Sequence, residues 1–192
     1  MGKGHTFIDA TLREWLARQR VFFVSTAPLS GDGMVNCSPK GGDYLRVVDE
    51  RTLAYLEFAG SGIETIAHLR ENGRIVVMLC AFEGPPKIVR FHGRGDVALP
   101  NDPDFAKLAK LYDGDLLGLR SIIRINVERV SDSCGFGVPV YEFVKDRDAL
   151  RKWTEKKGAE GVRAYVAENN AASVDGLAGL TADEAKLASP ER

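Results

Sequence analysis

Three short segments combine glycine, hydroxyl and cationic residues in a way that suits an anionic ligand. Ser38-Pro39-Lys40-Gly41-Gly42-Asp43, followed by Arg46, places two positive charges and a hydroxyl beside glycines that let a backbone come close to a bound anion. The same residues also read as a β-turn with solvated charges. Gly60-Ser61-Gly62 precedes a helix-forming run containing Thr65, and a helix N-terminus offers unpaired N–H groups and a positive dipole end to a phosphate. Here too a structural reading exists: Ser61 and Glu64 have the spacing of a capping box. In the third segment, Arg90, His92 and Arg94 alternate along a strand with Ile88. That face would stabilise a reduced, anionic ring system, or would simply be an exposed polar face.

Other chemistries find little support. The Gly-Lys-Ser/Thr triplet of a phosphate-binding loop is missing, and no acidic residue ends a following parallel strand as dinucleotide binding requires. Cys37, Cys80 and Cys134, with His5, His68 and His92, are scattered, so no metal site is expected. Cys134 lies between Ser133 and Gly135 with no local group to activate it, which favours a structural role. Ser25 and Ser38 lack the sequence context of a nucleophile elbow.

The elements that must position these segments follow from periodicity. Phe7, Leu12, Trp15 and Leu16 mark an opening helix, with Asp9 or Thr11 as N-cap. VFFVSTA and MVNCSP, joined by LSGDG, form a hairpin; YLRVVD and TLAYLEF, joined by DER, form a second. Residues 63–72 turn helical and stop at Asn72-Gly73. RIVVMLCAF and KIVRFHGRGDVAL pair across EGPP, and NDPDFAKLAKLY is a short Asp-capped helix. SIIRINVERVSDS alternates Ile123, Ile125 and Val127 against Arg124, Asn126 and Glu128. After Pro139 the chain is mostly helical, with a break at Gly158, and Leu180 to Arg192 is expected to be disordered. The fold expected is mainly β: an antiparallel split barrel of about six strands with flanking helices, over residues 1–145, and a helical C-terminal extension over 146–192. Too few helices separate the strands for a doubly wound sheet.

Composition sets the outer limits. A chain of 192 residues fits one domain with appendages, or one that completes its core by pairing with a second copy. With 44% hydrophobic residues, 28% charged residues and a net charge of −1, nothing points to nucleic acid or to an anionic membrane. No apolar run is long enough to span a bilayer and no signal-peptide core opens the chain, so a cytoplasmic location is expected.

Taken in order, FFVSTA, VNCSPKGGD, the strand pair to AYLEFAGSG, ETIAHLRENGRIVVMLCAFEGPPKIVRFHGRG and SCGFGVP resemble a flavin-binding subfamily of the pyridoxamine 5'-phosphate oxidase-like group. The resemblance covers about Phe7 to Val130, and the segments from Trp153 to Gly158 and NNAASVDGL add subfamily features. It implies a split β-barrel homodimer with FMN at the subunit interface, acting as an oxidoreductase on a small molecule. By that resemblance the strand before the DER turn carries a cofactor-contacting basic residue at Arg46, and Gly41 to Arg46 contact the flavin. The biosynthetic oxidase grips the FMN phosphate with an Arg-Lys pair where this chain has Gly62-Ile63, followed by Glu64-Thr65. Either Lys40 and Arg46 take over, helped by Ser61 and Thr65, or binding is weakened. Ser38 and Arg90 are expected near the ring or ribityl chain. The oxidase's substrate-gripping C-terminal segment has no match here, so pyridoxamine phosphate oxidation does not carry over. A non-catalytic flavin-sensing protein, and a barrel using deazaflavin or haem, are the alternatives.

Overall fold

The structure, a computed structural model, describes residues 4–190. Eight strands and five helices follow one another: β1 (Gly4–His5), α1 (Ala10–Ala17), β2 (Val21–Thr26), β3 (Asn36–Gly41), β4 (Leu45–Val47), β5 (Thr52–Phe58), α2 (Glu64–Asn72), β6 (Arg74–Cys80), β7 (Ile88–Ala98), α3 (Phe105–Ala109), β8 (Leu119–Ser133), α4 (Ala149–Asn169) and α5 (Ala182–Ala185). The strands form one antiparallel sheet in the order β3-β2-β6-β7-β8-β5-β4, with β1 added to β8. Of these strands only the two-residue β1, too short to carry a period, has no counterpart among the segments read from the sequence, whereas β4 lies within the expected YLRVVD strand.

The sheet curls into a half-barrel around one large apolar core. Val24, Leu53, Tyr55, Val77, Phe91, Ile123 and Ile125 point inward, and Ile63 and Ile66 of the α2 segment plug one end. A smaller core lies on the other side of the sheet, where Phe105, Leu108 and Tyr112 of the α3 region cover Ala54, Leu56, Ala98 and Ile122. Apolar material on both faces explains the continuous burial of Leu53 to Glu57, which hides the alternation of β5. On β8 the expected split holds: Ile123, Ile125 and Val127 are buried, while Asn126 and Glu128 are exposed.

Local signals set several boundaries. Asp9 caps α1, accepting from the Leu12 N–H at 2.7 Å. Gly73 ends α2 at φ 70°, a left-handed conformation that suits glycine. The capping box expected at Ser61 and Glu64 does not form. Helix α2 begins later, with Ile63 as N-cap, and the Glu64 carboxylate instead accepts from the Val174 N–H at 3.2 Å. Nor does an Asp side chain cap α3; Asp102 accepts from the Leu99 N–H in the preceding turn at 2.5 Å.

The C-terminal part differs from expectation in two places. Residues 139–148 form neither helix nor strand, and α4 starts only at Ala149, with Gly158 breaking its helical geometry at φ 66°, ψ 170°. The stretch from Leu180 to Pro190 is ordered against the barrel, which corrects the expected disorder; Glu191 and Arg192 lie outside the described residues. A capping box of Thr181 and Glu184 starts α5, and Leu180, Ala185 and Ala188 enter the main core. Small alanines pack closely without aromatic bulk, a contribution that hydropathy understates. Ser189 Oγ also accepts from the Gly118 N–H at 2.9 Å.

Candidate functional site

Strands β3 and β4 are the two ends of the sheet path, so the half-barrel has a seam that no backbone ladder closes. Side chains close it. Asn36, Ser38 and Lys40 share the inward face of β3, while Cys37, Pro39 and Gly41 face out. From β5, across the seam, come Tyr55 and Glu57. Lys40 Nζ stands 2.8 Å from Glu57 Oε2 and 5.4 Å from the Tyr55 ring centroid. Arg120, in β8, donates to Glu57 Oε1 at 2.9 Å, to the Gly62 carbonyl at 2.8 Å and to Asn170 Oδ1 at 2.7 Å. Asn170 Nδ2 in turn donates to the Gly60 carbonyl at 3.0 Å. The Gly60-Ser61-Gly62 turn is thereby pinned to the inner end of the seam.

A second set of hydrogen bonds continues from β3. Ser38 Oγ donates to Asn36 Oδ1 at 3.0 Å. The Asn36 amide donates to Thr26 Oγ1 at 3.1 Å and to Thr65 Oγ1 at 3.0 Å. Thr26 Oγ1 lies 2.9 Å from Nδ1 of the fully buried His68. Because Thr26 already accepts from Asn36, its own proton is available to His68 Nδ1.

The charges within this cluster set one another. Burial alone would raise the Glu57 carboxyl, but the Lys40 and Arg120 charges and their hydrogen bonds overcome it and hold the group below its ordinary value. Burial, with the Glu57 charge beside it, pushes the Tyr55 phenol well above its ordinary value, so it stays protonated. Lys40 and Arg120 against the single carboxylate of Glu57 leave the cluster with one net positive charge. Lys40 is the accessible member: its side chain is 20% exposed, against 5% for Glu57 and 4% for Arg120.

The residues singled out from the sequence therefore separate into two groups. Ser38, Lys40 and Thr65 come together, with Gly41 ending the same strand and exposed Ser61 on the adjoining turn. Arg46 does not join them. It sits opposite Ala54 on the other face of the sheet, holds Asp43 through contacts of 2.7 and 2.8 Å, donates to the Leu111 carbonyl and lies 5.0 Å from the Tyr112 ring centroid. Arg90 is also apart, donating to Ser133 Oγ at 3.1 Å on the outer face. There it opposes Met78, while partial burial and the Arg129 and Arg90 charges hold His92 below its ordinary value.

Glu57, Arg120, Asn36, Asn170 and His68 were not singled out from the sequence. Glu57 left a trace: it has the parity of Leu53 and Tyr55, so a carboxylate in a buried row demanded partners. Asn170 showed only as part of the NNAASVDGL segment, because only the fold brings it against Gly60, 110 positions away.

Among the described residues no group of three His, Cys, Asp or Glu side chains could hold a metal, and no helix is long and apolar enough to cross a membrane.

Comparison with known proteins bears on this arrangement. The family model for pyridoxamine 5'-phosphate oxidase matches residues 8–134, a span that includes the seam on β3 and β5, the α2 turn and all of β8. The pyridoxamine 5'-phosphate oxidase family protein ustO of Aspergillus flavus is 40% identical over 189 residues, covering 90% of this chain and 76% of that protein. Two crystal structures of HupZ from Group A Streptococcus align with TM-scores of 0.52 and 0.51 at 22% and 20% identity. They cover 66% and 70% of this chain and 99% of each HupZ chain, a likeness of fold. The family match over residues 8–134 and the 40% identity across 90% of the chain together make this chain a member of the pyridoxamine 5'-phosphate oxidase family.

Proposed function

We propose that this protein is a flavin-dependent oxidoreductase that binds FMN, with the phosphate at the seam, and acts on a small-molecule substrate. The observation that carries this reading is the partly exposed Lys40 in a buried cluster of net positive charge. An incoming phosphate can take Lys40 from Glu57, because Arg120 remains to neutralise that carboxylate. The donor set fits such a group. Lys40 Nζ supplies charge, Ser38 and Thr65 supply hydroxyls, and Ser61 lies on the turn before α2, whose N-terminus has no side-chain cap. Arg46, engaged with Asp43 on the opposite face, is left out of this set. When bound, FMN supplies the electron transfer. The chain's own residues bind and orient it, and the neutral Tyr55 phenol keeps a hydroxyl beside the charged pair.

A flavin complex is tested by the absorbance of the purified protein, with or without added FMN. A colourless protein that ignores FMN overturns the reading. Lys40→Ala is expected to weaken FMN binding about tenfold, the loss of one charge-assisted contact, measured by quenching of flavin fluorescence. Unchanged retention means that the phosphate lies elsewhere. Reduction of bound flavin by NAD(P)H and its reoxidation by an acceptor separate an enzyme from a protein that only holds flavin.

The same proposal takes the protein as a homodimer. Phe23, Val76, Met78 and Ile88 lie half-buried on the outer face of β2, β6 and β7 and belong to neither apolar core, with Arg90 and His92 bordering them. A second copy would cover that face. Light scattering is expected to give twice the chain mass, and Met78→Glu to shift it towards the monomer. A monomeric parent protein sinks this part of the proposal.

A further inference from the structure

A cavity of about 590 Å³ lies away from the Lys40 cluster. It is bounded by the end of α1, the β6–β7 turn and the segment 141–143. Its walls are aromatic. Trp15 lines it, and Phe82 and Tyr141 pack with ring centroids 5.5 Å apart and planes tilted by 40°. Phe143 stands opposite Arg20, whose guanidinium carbon is 5.0 Å from the ring centroid, and Lys87 Nζ is 5.3 Å from the Trp15 centroid.

The cations here have an unusual status. Among the described residues, Arg18, Arg20 and Lys87 form no ion pair with a carboxylate. Arg20 and Lys87 lie over ring faces instead, and both line the cavity. Of the two carboxylates in the lining, Glu83 is committed to the backbone, accepting from the Phe143 N–H at 3.0 Å. Three cations against two carboxylates leave the rim positive. The segment that supplies Tyr141 and Phe143 is tied to the turn by that bond and by the Tyr141 N–H to Phe82 carbonyl bond of 3.0 Å.

We infer that this cavity is a binding site for a flat aromatic carboxylate of one or two fused rings. The rings lie between Trp15 and the Phe82–Tyr141 pair, and the carboxylate reaches Arg20 and Lys87. The volume suits a small organic ligand, and an apolar pocket with a few convergent charged groups is the usual form of such sites. The site does not rest on the flavin reading, since none of the Lys40 cluster lines it.

The test uses 2-naphthoate as the probe and Trp15 emission as the readout, in the full chain carrying Trp153→Phe so that Trp15 is the single indole. Saturable quenching is expected. Arg20→Gln and Lys87→Gln are each expected to weaken it about tenfold, while neutral 2-naphthylmethanol binds both variants and parent alike. Both positions are on the surface, so these variants keep the fold, and circular dichroism checks it. Absence of saturable quenching overturns the site. Equal naphthoate affinity in the parent and both variants overturns the carboxylate assignment. Displacement of naphthoate by saturating FMN overturns its independence and makes the cavity part of the flavin site. Flavin absorbance is read separately, so a failure here leaves the flavin proposal standing, and the reverse also holds.

Discussion

Replacing Glu57 with alanine is expected to destabilise the protein by about 3–5 kcal/mol, the cost of leaving buried charge without its partner. Arg120 is almost wholly buried and would keep only the Gly62 carbonyl and Asn170 as acceptors, while Lys40 would lose its carboxylate altogether. Urea unfolding checks this as a lower midpoint with an unchanged slope. The same residue links stability to pH. Its carboxyl lies below the ordinary value of 4.5 in the folded protein, so the unfolded chain takes up a proton first as pH falls. The contribution is fully present above that ordinary value and is lost as pH drops through the lower folded one. Glu57→Gln should flatten this part of the acid-stability profile. An acid profile identical to the parent's would show that the pair does not stabilise the fold.

Gly93→Ala is expected to cost ~3 kcal/mol, at the upper end of ordinary overpacking, or to prevent folding. Gly93 sits at the irregular register between β7 and β8, opposite Val127. A methyl group there would overlap the Asn126 carbonyl oxygen and stand 2.9 Å from the Asn126 carbonyl carbon and 3.2 Å from Val127 Cα. All three atoms are backbone in an interior strand, so no rotamer change relieves the clash. Gly31→Ala, at a position with open space around it, is the matched control and should leave the thermal midpoint nearly unchanged. Equal melting temperatures for the two variants would mean that β8 shifts easily, contrary to its place inside the sheet.

The sheet was legible in the sequence wherever one face is wet. On β8, Ile123, Ile125 and Val127 alternate with polar neighbours, and the β2–β3 and β4–β5 hairpins carry their own turn residues. The helical stop at Gly73 was equally local. Tertiary contacts decided the rest. Glu64 has the spacing of a capping partner for Ser61, yet a backbone N–H from Val174 takes its carboxylate. The tail after Leu180 lacks bulk but finds a complementary surface through Ala185, Ala188 and Ser189. Spacing put Ser38, Lys40 and Thr65 beside the glycine turns, and the fold brings the three together. Spacing could not show that Arg46 points to the opposite face, because a three-residue strand such as β4 has no alternation to read.

The seam has a consequence for access and timing. A ring of paired strands opens only by breaking several backbone bonds together, whereas this barrel is fastened like a clasp by side chains: the Lys40 ammonium against the Glu57 carboxylate and the Tyr55 ring, and the Asn36 amide against Thr65. Parting the clasp leaves every ladder in the sheet intact. The interior beside Tyr55 can therefore be exposed by local opening, far below the cost of global unfolding. Backbone amides along the free edge of β3 should accordingly exchange with solvent sooner than those of β7 and β8. A phosphate that seized Lys40, as in the proposed flavin complex, would also draw the clasp.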